Sequence, residues 1–281
     1  MNKAMQGDKS HRFKAQIRNL AVKNHIPAQA VLQNFMLERL LERISISKYK
    51  DMVVLKGGML IASLVGISSR TTMDMDATLR GYPLSDETIR QAFAEICAIQ
   101  LDDGVCFELG HIAPIREDDE YGGYRVAIIA RYESINTPLK IDITTGDIIT
   151  PGAVRYSFHS NFENKVIEVW AYTIETILAE KVETILRRSV LNTRPRDFYD
   201  VYIIMKTQSQ AINQDVFVTA LHATSENRMS LAALQSKDEI LRNIQSDSIM
   251  RQRWERYCKE NYYANGIEFD QVIGILCEIA S

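Results

Sequence analysis

The sequence predicts an α+β fold: a small mixed β-sheet flanked by helices, followed by a C-terminal helical domain. Apolar residues recur at helical spacing near the start, alternate with a period of two through the middle of the chain, and return to helical spacing towards the end. The expected division is an α/β domain with two N-terminal helices over residues 1–160 and a helical domain over residues 161–281.

Each element has a local cause. HRFKAQIRNLAVKNHI (11–26) and PAQAVLQNFMLERLLERI (27–44) carry helical periodicity, and Pro27 suits the first turn of the second helix. DMVVLKGGMLIASLVGI then gives a short strand at 53–55, a turn at Gly57 and Gly58, and an apolar helix. RTTMDMDATLR (70–80) reads as the next strand. SDETIRQAFAEICAIQ (85–100) is a helix with Ser85 as N-cap and acids in its first turn. VCFELGHIAPI, GYRVAIIARYE and PLKIDIT are strands, with REDDEYGG as the hairpin loop between the first two. The stretch around TGDIITPGAVRYSF is read as a loop, and residues 150–172 as the boundary. Helices follow at 173–190 and 194–206, then at about 213–224, 236–260 and 267–280.

Composition excludes several classes. A net charge of -3 and a pI near 6.0 rule out coating nucleic acid through overall charge, leaving room only for a local basic patch. Cys97, Cys106, Cys258 and Cys277 have no CxxC spacing, so a disulfide framework or zinc knuckle is not expected. No apolar run approaches the roughly 20 residues of a membrane span, and MNKAMQGDKSHRFK lacks the apolar core of a signal peptide. A cytoplasmic protein without a membrane partner is expected.

Asp74 and Asp76 are the first residues that ask for chemistry. On a strand they share one face, while Met73, Met75, Ala77 and Leu79 take the other. Adjacent carboxylates repel, so either the face is solvated or a cation such as magnesium sits between them. KIDIT (140–144) repeats the device, with Asp142 between Lys140 and Thr144 and opposite in face to Leu139, Ile141 and Ile143. Three acids from neighbouring strands suit a two-metal cluster, in which Asp142 completes one shell and accepts a proton from an attacking hydroxyl.

Other residues fit an anionic ligand. LKGG (55–58) puts two glycines where a strand enters a helix, so backbone N–H groups can face phosphate, although GxxxxGK[ST] is absent. Lys56 can pair with phosphate or with the sheet's own acids. Lys181 falls within the apolar helix face of Ile174, Ile177, Leu178, Val182 and Ile185, so it either snorkels outwards or meets an anion such as a triphosphate. Asp197 and Asp200 share a helix face. Arg187, Arg188, Arg194 and Arg196 around that turn face either an RNA backbone or local acids. RQRWERYCKENYY reads as an ordinary amphipathic helix, His111 as structural, and REDDE as a solvated loop.

The order KGG, RTTMDMD, IDITTGD, LAEK and RPRDFYD, over about residues 50 to 205, resembles the AbiEii/AbiGii toxin family of the DNA polymerase β-like nucleotidyltransferase superfamily. The resemblance implies a nucleotidyltransferase-like core and a toxin role in a toxin–antitoxin or abortive-infection system. It also implies transfer of a nucleotide from an NTP, in some members to the tRNA 3′ end. By analogy an AbiEi-like winged-helix antitoxin would be the partner. On this likeness Asp74, Asp76 and Asp142 are the catalytic metal acids, and Lys181 is the essential lysine. Asp197 or Asp200 is the acid of the last motif. Lys56, Gly57, Gly58, Arg70, Thr72 and Lys181 lie on the nucleotide. Gly58 stands where the superfamily has serine, which removes a hydroxyl contact to phosphate. The expectation is therefore a magnesium-dependent nucleotidyltransferase toxin with tRNA as acceptor. The alternatives are transfer to a protein or small molecule, or non-catalytic nucleotide or RNA binding.

Overall fold

The computed structural model of the protein describes residues 3–115 and 122–280, so the REDDE stretch lies outside the described residues. The chain divides into two compact units, Met1–Gly146 with Val154–Ala171 and Asp147–Ala153 with Tyr172–Ser281. The first holds the sheet and the second is helical, the α+β arrangement that the sequence predicts.

In the first unit, α1 (Lys3–Asn24) and α2 (Ala28–Ile46) lead into β1 (Val53–Lys56), which passes directly into α3 (Gly57–Val65) and on to β2 (Met75–Leu79). Helix α4 (Asp86–Ala98) begins with a reciprocal cap in which the Ser85 hydroxyl accepts from the Thr88 N–H and the Thr88 hydroxyl from the Ser85 N–H. Strands β3 (Val105–Pro114), β4 (Gly123–Tyr132) and β5 (Ile135–Thr145) pair antiparallel in succession, and β6 (Val154–His159) pairs antiparallel with β7 (Val166–Ala171). The sheet order is β3-β4-β5-β2-β1-β7-β6, with β2 parallel to β5 and β1 parallel to β7.

Strands β6 and β7 correct the reading of residues 150–172 as a connection. Their alternation is only six residues long in each strand, and it is pairing of β7 with β1 that settles it. The chain therefore returns to the first unit after residue 153 instead of leaving it once near 160.

Helix α2 is buried on nearly every side, charged residues included, and its polar groups tie down neighbouring segments. Gln33 donates to the carbonyls of Met73 and Pro138 at 2.9 and 2.8 Å, and Asn34 to the Thr72 carbonyl at 3.0 Å. Glu38 accepts from the Ser160 hydroxyl at 2.6 Å and from the Asn161 side chain at 2.7 Å, while burial pushes its carboxyl up. Arg43, 0% exposed, forks onto Asp103 at 2.8 and 2.9 Å and also donates to the carbonyls of Ile99 and Val105.

The second unit contains α5 (Ile174–Arg188), α6 (Pro195–Gln208), α7 (Gln214–Asn227), α8 (Leu231–Gln235), α9 (Lys237–Ser246), α10 (Ser248–Glu260) and α11 (Phe269–Ala280). The single helix expected at 236–260 is two, because Asp247 lies between them in extended backbone and its side chain caps α10 by accepting from the Met250 N–H at 2.7 Å. RQRWERYCKENYY falls mainly on α10, with Trp254 and Tyr257 turned into the core, as an amphipathic helix requires. The four cysteines are free thiols, and among the described residues no helix is long and apolar enough to cross a membrane.

The Arg43 fork yields a stability prediction. Asp103→Ala leaves a buried guanidinium without its counter-charge and is expected to cost about 3 kcal/mol in denaturant unfolding.

Candidate active site

Strand register assembles one charged row. Lys56 on β1 lies opposite Asp76 on β2, Asp76 opposite Asp142 on β5, and Asp142 opposite Arg125 on β4. Register partners project to the same face, so two carboxylates stand side by side between two cations. Arg125 takes both oxygens of Asp142, at 2.8 and 2.7 Å. Lys56 Nζ donates to Thr144 Oγ1 at 2.8 Å, two residues beyond Asp142 on β5.

Asp74 departs from the expected geometry. Strand β2 begins at Met75, so Asp74 sits in the bend before it instead of sharing a strand face with Asp76. The bend is fastened by the Gln33 and Asn34 bonds from α2 and by Thr72 Oγ1, which donates to the Asp74 carbonyl at 3.0 Å. The Asp74 carboxyl is exposed yet raised, first by the protein bulk crowding it and then by the charge of Asp76; Lys140 opposes the rise and Asp142 adds to it.

Two glycines let the helix approach these acids. Gly57 has a φ of +65°, and a Cβ there would lie 2.1 Å from Asp76 Oδ2. Helix α3 begins at this residue, and the Gly58 N–H donates to Asp76 Oδ2 at 3.3 Å. A Cβ at Gly58 would meet Thr72 Oγ1 at 2.8 Å and the Arg70 guanidinium at 3.2 Å. The space that a side chain at Gly58 would need is taken by the Thr72 hydroxyl, which itself bonds the Asp74 backbone. Arg70 and Thr72 are buried, at 2% and 4% exposure, and shape the turn from behind.

The second unit gathers the remaining predicted residues. On α5, Ile177, Leu178, Val182 and Ile185 are buried, and Lys181 on the same helix reaches Asp197 at 2.5 Å and Asp200 at 3.1 Å. Both acids of RPRDFYD touch the lysine, because a spacing of three puts them on one side of α6. Arg187 pairs with Glu183 at 2.8 Å, whereas Arg194 and Arg196 are exposed. His111 is an exposed residue of β3.

The donor set fits magnesium in kind: Asp74, Asp76 and Asp142 offer hard oxygens, and Asp76 and Asp142 are adjacent carboxylates in register whose repulsion a divalent cation would relieve. Among the described residues no three acidic, histidine or cysteine side chains already form a metal shell, and both Asp142 oxygens are engaged by Arg125. Arg125 is the residue that sequence reasoning missed, and the Lys56 bond to Thr144 was not foreseen. Arg125 sits in the alternating stretch GYRVAIIARYE, and nothing local says which residue of another strand it will face.

A family model for the nucleotidyl transferase AbiEii toxin of a type IV toxin–antitoxin system matches residues 39–274. Among solved structures, the fold is similar to MenT4, a nucleotidyltransferase toxin from Mycobacterium tuberculosis, at 14% identity and a TM-score of 0.55, covering 95% of this chain and 99% of that one. JHP933 from Helicobacter pylori is similar at 14% identity and a TM-score of 0.49, covering 90% and 93% respectively. Comparison with curated proteins gives no match.

The crowding at Asp74 predicts a gain in stability when its charge is removed. Asp74→Asn, in metal-free buffer at pH 7.5, is expected to melt about 1–2 °C above the parent, a small gain because solvent screens an exposed group. A carboxyl raised by folding contributes stability at low pH that is lost as pH rises through its folded pKa. The advantage of the variant should therefore shrink as pH falls through that pKa, which scanning calorimetry across the acid range would reveal.

Proposed function

The chain belongs to the AbiEii nucleotidyltransferase toxin family of type IV toxin–antitoxin systems, and on that footing we propose a cytoplasmic, magnesium-dependent enzyme that transfers NMP from an NTP to the 3′ end of a tRNA. The observation carrying this reading is the register pairing of Asp76 with Asp142, two adjacent carboxylates flanked by Lys56 and Arg125. Asp74, Asp76 and Asp142 are the residues that would hold magnesium, and the ion when bound supplies charge stabilisation at the reacting phosphate. Asp142 accepts the proton of the attacking hydroxyl. Lys56 and the backbone of Gly57 and Gly58 receive the NTP phosphates, with Arg70 and Thr72 holding that turn in shape. Within the second unit, Lys181, aimed by Asp197 and Asp200, is the cation proposed for phosphate.

The RNA backbone is proposed to contact the turn between α5 and α6. From Arg187 to Arg196 the chain carries four arginines and no acid. Arg253 donates to the carbonyls of Val190 and Asn192 at 3.3 and 3.0 Å, adding a further cation to the turn. Family membership implies an antitoxin, proposed here as an AbiEi-like winged-helix regulator encoded by the neighbouring reading frame.

Two measurements test the proposal. Purified protein incubated with each labelled NTP, magnesium and total tRNA should label tRNA, and Asp76→Ala should reduce the rate at least about 10³-fold. Full transfer by that variant would sink the assignment of the site, and label appearing in protein instead of RNA would overturn the acceptor. For the turn, replacing Arg194 and Arg196 by Gln should lower the slope of log affinity for tRNA against log salt by about 1.5, with NTP binding unchanged.

A further inference from the structure

Arg125 has a placement that a brace between strands does not need. Strands β4 and β5 are already paired continuously from Gly123 opposite Thr144 to Tyr132 opposite Ile135, so their register is fixed by backbone bonds. An exposed ion pair adds little to such a ladder. Yet the guanidinium takes both oxygens of Asp142, and its side chain is 52% exposed while that of Asp142 is 21% exposed. Asp74 and Asp76 also act on it. A ligand of Asp142 competes with this arginine for the same two oxygens, and a guanidinium that yields them stays tethered beside the same row of acids.

On the nucleotidyltransferase reading above, we propose that Arg125 is a nucleotide-binding residue that exchanges partners: it neutralises Asp142 when the site holds no nucleotide and moves to a phosphate of the NTP when one enters. The exchange conserves charge pairing. Asp142 loses one cation as it becomes free for metal, and the triphosphate gains a forked donor whose planar geometry matches two phosphate oxygens. The fourfold row of Lys56, Asp76, Asp142 and Arg125 is then a site held ready by its own counter-ions.

A contrasting pair lies six residues along the same strand. Arg131 on β4 pairs with Glu108 on β3, both donors on one carboxylate oxygen, and donates to Asn136 at 3.1 Å, so it is an exposed cross-strand pair of similar exposure away from Asp76 and Asp142.

The test is a double-mutant cycle read by calorimetric binding of each of the four NTPs to the full chain in EDTA, where neither metal nor turnover contributes. Arg125→Ala should weaken binding about tenfold, Arg125→Lys should restore part of the loss, and Arg131→Ala should bind like the parent. Asp142→Asn should tighten binding about fivefold with Arg125 present and less than about twofold in the Arg125→Ala background. Binding by Arg125→Ala within twofold of the parent would overturn the exchange, as would an equal gain from Asp142→Asn in both backgrounds, which is plain charge removal. A parent protein that binds none of the four NTPs, with or without magnesium, would instead bring down the nucleotidyltransferase reading on which the exchange rests.

Discussion

Parallel pairing of β2 with β5 is the constraint on which the candidate site depends, because it fixes Asp76 directly beside Asp142. Two carboxylates at adjacent register repel each other. The sheet tolerates them because cations occupy the next positions outward on both sides, Lys56 on β1 and Arg125 on β4. The Gly58 N–H adds a donor to Asp76 from the start of α3. Gly57 is what admits that helix end, since a side chain there would occupy the place of the Asp76 carboxylate.

The second requirement is a fixed approach to β2, and the buried polar side of α2 supplies it. Gln33 and Asn34 fasten the backbone at 72 and 73, just before Asp74, while Glu38 and Arg43 hold segments further along the chain. A helix core usually excludes such groups. Here Gln33, Asn34, Glu38 and Arg43 are each matched by hydrogen bonds or an opposite charge, so much of their burial cost is offset and the connecting loops are set at the same time. Thr72 links the two requirements: its carbonyl is tied to α2, and its hydroxyl fills the space beside Gly58.

In the second unit the same economy appears with opposite sign. Lys181 lies among apolar neighbours on α5, and Asp197 and Asp200 supply two carboxylates to one ammonium. Two carboxylates on one side of α6 fix the direction of the ammonium. The stretch from Arg187 to Arg196 carries four arginines and no acid of its own, and Glu183 one turn earlier on α5 pairs with Arg187.

Much of this was legible without coordinates. Helical periodicity fixed α2, α5 and α6, Ser85 marked the start of α4, and the alternation in KIDIT put Asp142 opposite in face to its apolar neighbours. Local pattern decides such features because each residue's preference depends on its own few neighbours along the chain. The family likeness was legible too, through the order of motifs, and the family model agrees with it. Tertiary structure alone decided that β6 and β7 are strands, that Asp74 sits in a bend, that the Thr72 hydroxyl packs beside Gly58, and that Arg125 faces Asp142. Each of these depends on which strand lies next to which. Pairing of that kind is a contest among distant segments for backbone hydrogen bonds and shared faces, and no window of neighbouring residues contains its outcome.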